Sequence, residues 1–194
     1  MLGQLPRALD VNGTLRAIRA GYVNVLAIIS AYNDPGLEDR EKVYICLRRL
    51  YPDLDAIPRT DLPAAYEAAV RFIERGEKPE KPGPRLVDWE KDEHLIFPAV
   101  NAAAGREIRE TPDLHWWTFL GLFQSISTES LFGTVLTIRG KLAKHRKLEK
   151  HEQAFYNANR ALCELKTPAQ RKRDTYAYLE ALHRELLREG GNAP

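Results

Sequence analysis

The chain has 194 residues, 44% of them hydrophobic and 29% charged, with a formal net charge of +2. That composition excludes a wholly disordered chain, and the near balance of charge excludes a global electrostatic signature of nucleic-acid or membrane binding. The length fits one domain or two small ones.

The opening MLGQLPRALDVNG lacks the basic start and apolar run of a signal peptide. The longest apolar stretch, Val23 to Ala31, is interrupted by Asn24 and Ser30 and falls short of the roughly 20 residues of a membrane span. The expectation is a cytosolic protein without membrane contact. Residues 8–19 read as a small β-hairpin turning at Asn12-Gly13, since a tight type I′ turn needs positive φ at both central positions. Tyr22, Leu26 and Ile29 recur at helical spacing up to the turn cluster Asn33-Asp34-Pro35-Gly36. Val43, Leu47 and Leu50 form a second stripe that ends near Pro52. Asp61 caps a third helix, with Pro63 in its first turn and Tyr66, Val70 and Ile73 on one face.

The stretch RGEKPEKPGPR, 75–85, has three prolines and no apolar residue, so it has nothing to bury and reads as an exposed linker or loop. It divides the chain into an N-terminal part, 1–75, a linker, 76–85, and a C-terminal helical part, 86–190. In the last of these Asp88 caps a helix that stops at Gly105 and is kinked or split by Pro98. Placed on a helix, 113–126 puts Trp116, Phe119 or Leu120, Phe123 and Ile126 on one face, with Leu114 and Trp117 beside it. So apolar a helix is buried on most sides, with at least one tryptophan as core anchor; the alternative is that the other is open to a partner. His115, near its start, faces solvent or satisfies a loop carbonyl. Ser127 or Thr128 begins a further helix that stops at Gly140. A longer helix then runs from about Ala143 to Leu165, with Leu148, Phe155, Ala158, Leu162 and Leu165 in one stripe. Thr167, Pro168 and Gln170 spell a capping box for a last helix, 168–189. The fold class is mainly α: a multi-helix globular domain with a small N-terminal β-hairpin.

No residues converge on chemistry. Asp92, Glu93 and His94 are consecutive and point about 100° apart on a helix, and His145 and His151 are not at the i, i+4 spacing that chelates a metal. GxSxG, GxxxxGK[ST] and GxGxxG are all missing, and Cys46 and Cys163 sit in apolar patterns as small hydrophobes. The expectation is a protein that is not an enzyme and needs no cofactor or metal. The run RGKLAKHRKLEK, 139–150, offers Arg139, Lys141, Lys144, Arg146 and Lys147 as a basic contact, either for an acidic partner or for phosphates. Its cations scatter around the helical wheel and no aromatic residue interleaves for base stacking, which weighs against nucleic acid.

The segments VDWEKDEHLIFPAV, LHWWTFLGLFQSI, LFGTVLTIRGKLAK and EQAFYNANRALCEL, in this order after a hairpin, resemble the bacteriophage gene-product-15 family of siphophages. The resemblance is best over 86–166 and looser over 8–75. Its most specific piece is Leu114-His115-Trp116-Trp117-x-Phe119, followed by Ile138-Arg139. Thr137 stands where that family usually carries an aromatic residue, and the last helix extends past the usual family end. The resemblance implies a tail-assembly chaperone that binds the phage tape-measure protein in the host bacterial cytoplasm and is absent from the mature virion. It leaves the tail-tube protein and self-association open as further contacts, and brings no catalytic residues. The apolar positions Trp116, Trp117, Phe119, Phe123, Leu148, Phe155 and Leu162 are then the candidate partner-binding surface. The alternatives are a phage protein that binds nucleic acid through 139–150 and a structural tail component.

Overall fold

The computed structural model describes residues 3–76 and 83–190. Strands β1 (Ala8–Val11) and β2 (Thr14–Ala17) pair antiparallel, with Ala8 opposite Ala17 and Val11 opposite Thr14. Asn12 and Gly13 turn at φ 50° and 83°, as the hairpin reading requires. Asp10 Oδ1 accepts from the Gly13 N–H, and the Asn12 amide donates to Asp61, which ties the turn to the entry of the third helix.

Helices α1 (Tyr22–Asn33), α2 (Asp39–Leu50) and α3 (Leu62–Ile73) follow. Two 3-10 turns, Leu54–Ala56 and Arg59–Asp61, lead into α3. After the gap come α4 (Glu93–Ala104), a 3-10 turn at Ile108–Glu110, α5 (Trp116–Gln124) and α6 (Leu131–Ala143). Then α7 (Lys150–Ala158), α8 (Arg160–Cys163) and α9 (Pro168–Gly190) complete the described chain. Glu38 with Glu41, and Glu149 with Glu152, form reciprocal capping boxes on α2 and α7. Thr167 and Gln170 bond each other's backbone N–H at the start of α9, as their spacing predicts.

Several expectations give way. On α3 the buried face is Ala65, Ala68, Ala69 and Phe72, and Tyr66, Val70 and Ile73 lie half-buried at its edge. The alanines let the α3 backbone come close enough for the Tyr51 hydroxyl to donate to the Ala65 carbonyl at 2.8 Å. Pro98 does not split α4. It sits on the exposed face, and the His94 carbonyl that it leaves without a helical donor belongs to an exposed residue. Helix α6 is capped by Ser130, whose hydroxyl accepts from Gly133 N–H, and it runs through Gly140 to Ala143. The single helix expected over 143–165 is two helices. His145 at φ 53° ends the turn after α6, and Asn159, at φ −127° and ψ 37°, separates α7 from α8.

One apolar core draws on both sides of the 75–85 stretch. Tyr22 of α1 stacks flat on Phe119 of α5, with ring centroids 4.8 Å apart. The indole N–H groups of Trp116 and Trp117 donate to the Ile73 and Phe72 carbonyls at the end of α3. The chain leading into α1 and the start of α5 are also joined through backbone: Tyr22 N–H donates to Leu114, and Trp116 N–H to Ala20. The parts of the chain before and after that stretch share this core. Of the expected linker, 77–82 lies outside the described residues.

Trp116 is 2% and Phe119 0% exposed. Replacing either by alanine is expected to lower unfolding free energy by about 3–5 kcal/mol, read from urea denaturation followed by far-ultraviolet circular dichroism. The same change at Thr118, exposed on α5, is expected to leave the midpoint in place.

Candidate partner-binding surfaces

The apolar candidate residues divide by depth. Trp116, Phe119 and Leu148 are buried and belong to the core, so as folded they offer no surface to a partner. Trp117, Phe123, Phe155 and Leu162 are half-buried and pack against that core from its edge. Trp117 stacks on Phe72, and Phe123 packs against Trp89 and Phe132. What remains of the 113–126 segment as accessible surface is this edge, together with Leu120 and the open space above Gly121.

His115 is 4% exposed and not at the surface. Its Nδ1 accepts from Trp117 N–H, which makes it the side-chain cap of α5, and Nε2–H therefore donates to the Pro6 carbonyl at 2.9 Å. The carbonyl contact is one of the two roles its position suggested. Its ring packs edge-on against Phe72 and Trp117.

The basic candidates divide too. Arg139 is 4% exposed and uses all five of its N–H donors. Two go to the Asp92 carboxylate at 2.5 and 2.8 Å, and the others go to the carbonyls of Leu86, Leu162 and Cys163. Asp92, 1% exposed, also accepts from Asp88 N–H. The Lys91 ammonium donates to the Ala161 and Glu164 carbonyls. Two cations thus satisfy the last carbonyls of α8, the end of a helix that attracts positive charge. Lys141 is held by Glu152 at 2.6 Å and by Glu149 at 3.4 Å. Arg139 and Lys141 are therefore structural, and the accessible cations of the run are Lys144, Arg146 and Lys147, with Lys150 beside them. The sequence had set Asp92 beside Glu93 and His94 only as a poor metal candidate. An arginine inside the apolar stripe of LFGTVLTIRG signals a buried partner, but nothing in the sequence says that the partner stands 47 residues earlier.

A cleft of about 830 Å³ opens between α1, the 85–91 segment and the first turns of α9. Ala27, Ala31, Leu37 and Trp89 supply its apolar lining, and Arg171 and Thr175 its α9 wall. Arg171 donates to the Asn33 carbonyl at the end of α1. Burial raises the Cys46 thiol to about 11 and also raises that of Cys163, so neither is a thiolate nucleophile at neutral pH. Among the described residues no group of three His, Cys, Asp or Glu side chains is placed to hold a metal ion, and no helix is long and apolar enough to cross a membrane.

A family model described as bacteriophage Gp15 protein matches residues 1–165, a span that ends just before α9. No curated protein and no solved structure matches the chain.

The buried pair generates a first expectation. Asp92→Asn or Arg139→Met alone is expected to cost about 3–5 kcal/mol, because each strands a buried group, and a double-mutant cycle should show strong coupling. Additive effects in denaturant titrations would mean that the two side chains do not act as a unit. Acid stability generates a second. Hydrogen bonds from Arg109 hold Glu107 down to about 2, from an ordinary 4.5. The Lys141 hydrogen bond lowers Glu152 in the same direction. A carboxyl lowered in the folded state contributes stability that is complete above its unfolded value and is lost as pH falls through the folded one. The denaturation midpoint should thus drop between pH about 4.5 and about 2. Glu107→Gln with Glu152→Gln should flatten that limb.

Proposed function

The chain belongs to the bacteriophage Gp15 protein family, and we propose that it is a non-enzymatic tail-assembly chaperone that binds the tape-measure protein of its phage. The observation that carries this reading is the family match over 1–165, which spans the hairpin and every helix up to α8. A tape-measure protein is a long helical chain, and a carrier for it needs surfaces that accept the apolar face of an amphipathic helix. Two surfaces suit that task. One is the α5 edge of Trp117, Leu120 and Phe123, and the other is the cleft lined by Ala27, Ala31, Leu37 and Trp89. Neither buries the contacting residue completely in the free protein, so a helix laid on either still removes apolar area from water. The chaperone acts in the host cytoplasm and leaves before the virion is complete.

Co-expression with the tape-measure protein of the same phage is expected to raise the latter's soluble yield and to give a complex that survives about 0.5 M salt, since apolar burial is not screened as exposed charge contacts are. Ala31→Glu, which sets a charge in the cleft, or Leu120→Glu on the α5 edge, is expected to weaken that complex. No gain in yield and no co-purification would sink the reading, and so would recovery of the protein in stoichiometric amount from purified particles.

A further inference from the structure

The loop between α6 and α7, with the first residue of α7, carries four cations, Lys144, Arg146, Lys147 and Lys150, all of them exposed. Like charges so crowded repel one another, and a sequence usually relieves this with nearby acids. The two acids at hand here are Glu149 and Glu152, and the fold commits both elsewhere. They form the capping box of α7, and both bond the Lys141 ammonium. Among the ion pairs of the described residues none includes Lys144, Arg146, Lys147 or Lys150.

The loop is also held in one shape. Arg146 N–H donates to the Lys141 carbonyl at 2.8 Å and His145 N–H to Leu142 at 3.0 Å, which closes α6 around the left-handed His145. Leu148, 9% exposed, pins the other side to the core, and the capping box fixes the exit. The positive charge is therefore displayed from a rigid support rather than from a free tail. Beside it lies a shallow hollow of about 760 Å³ lined by Lys147, Glu149, Lys150, Gln153, Ala154 and Asn157.

We infer that this loop is a docking surface for an acidic segment of a protein. Charge complementarity selects an anionic partner. The hollow favours a polypeptide over a nucleic acid: its lining includes no aromatic ring on which a base could stack, while Gln153 and Asn157 offer amides to a peptide backbone. The inference does not rest on the chaperone reading, since any protein with such a segment meets the same chemistry.

The probe is a fluorescein-labelled poly-glutamate peptide of about 20 residues, followed by anisotropy at low and at physiological salt. The wild-type chain is expected to bind it, and more weakly as salt rises. Neutralising the loop (Lys144→Gln, Arg146→Gln, Lys147→Gln, Lys150→Gln) is expected to weaken binding at least about tenfold. Reversing it with glutamate at the same positions is expected to abolish poly-glutamate binding and create binding of poly-lysine. Since these side chains are exposed, both variants should unfold at the wild-type midpoint, and Arg146→Gln with Lys147→Gln serves as a milder pair that leaves both flanking helices untouched. Undiminished poly-glutamate binding by the neutral or reversed chain overturns the inference. Tighter wild-type binding of a DNA duplex of equal charge, lost on the same substitutions, overturns it in favour of nucleic acid.

Discussion

The Arg139 guanidinium is the point from which the C-terminal half of the fold takes its geometry. A buried arginine without partners carries an uncompensated charge, a cost of several kcal/mol, so every N–H must find an acceptor. Those acceptors come from three places: Asp92 at the start of α4, Leu86 in the segment before it, and the Leu162 and Cys163 carbonyls at the end of α8. Binding the last two requires α8 to end there, pointing its free carbonyls at α6. A helix continued through Glu164 would have tied up the same carbonyls in its own ladder. The short α8, the break at Asn159 and the exit of the chain towards α9 are consistent with that one requirement, and Lys91 reinforces it from the side.

This explains why the sequence read well in faces and poorly in breaks. Leu148, Phe155 and Leu162 are spaced by sevens, so they lie on one side of any helix through them, and all three do turn towards the core. The spacing contains no trace of the interruptions, because the caps are unusual. Glutamate, not serine or threonine, opens the box on α7, and a histidine rather than glycine takes the left-handed position before it. The hairpin was legible because Asn12-Gly13 has few other uses. The buried face of α3 was misplaced by one position because alanine is a weak hydrophobic signal, although close helix packing favours it.

The candidate surfaces were legible as a region but not by residue. A helix as apolar as Trp116–Gln124 must be mostly buried, and periodicity cannot say which edge stays open. Here the choice is made by the end of α3, whose Phe72 and Ile73 carbonyls bind the two indoles, and by His115, which caps α5 and reaches Pro6. The indole bonds and the reach to Pro6 span 43 residues and more, and no local pattern encodes them. The same holds for the cleft. Its floor is small side chains of α1 and its wall is a helix beyond the family match, so nothing in either segment alone marks a hollow.

Net charge was the most misleading single number. A value of +2 describes a chain whose cations and acids nearly cancel, and cancellation in the sum need not be cancellation on the surface. Asp92 is spent on Arg139 in the interior, Glu152 is 6% exposed and faces Lys141, and Glu149 divides its carboxylate between a helix cap and the same lysine. Folding commits Glu149 and Glu152 to Lys141 and to the α7 cap and leaves Lys144, Arg146, Lys147 and Lys150 outside the ion pairs of the described residues. Locally the potential is positive although the molecule is close to neutral, and within about 10 Å, the screening length at moderate salt, the local value is what an approaching segment meets. A fold that uses glutamates for its capping boxes and an aspartate for its buried arginine therefore gains, from the same residues that stabilise it, an uncompensated patch on its outside.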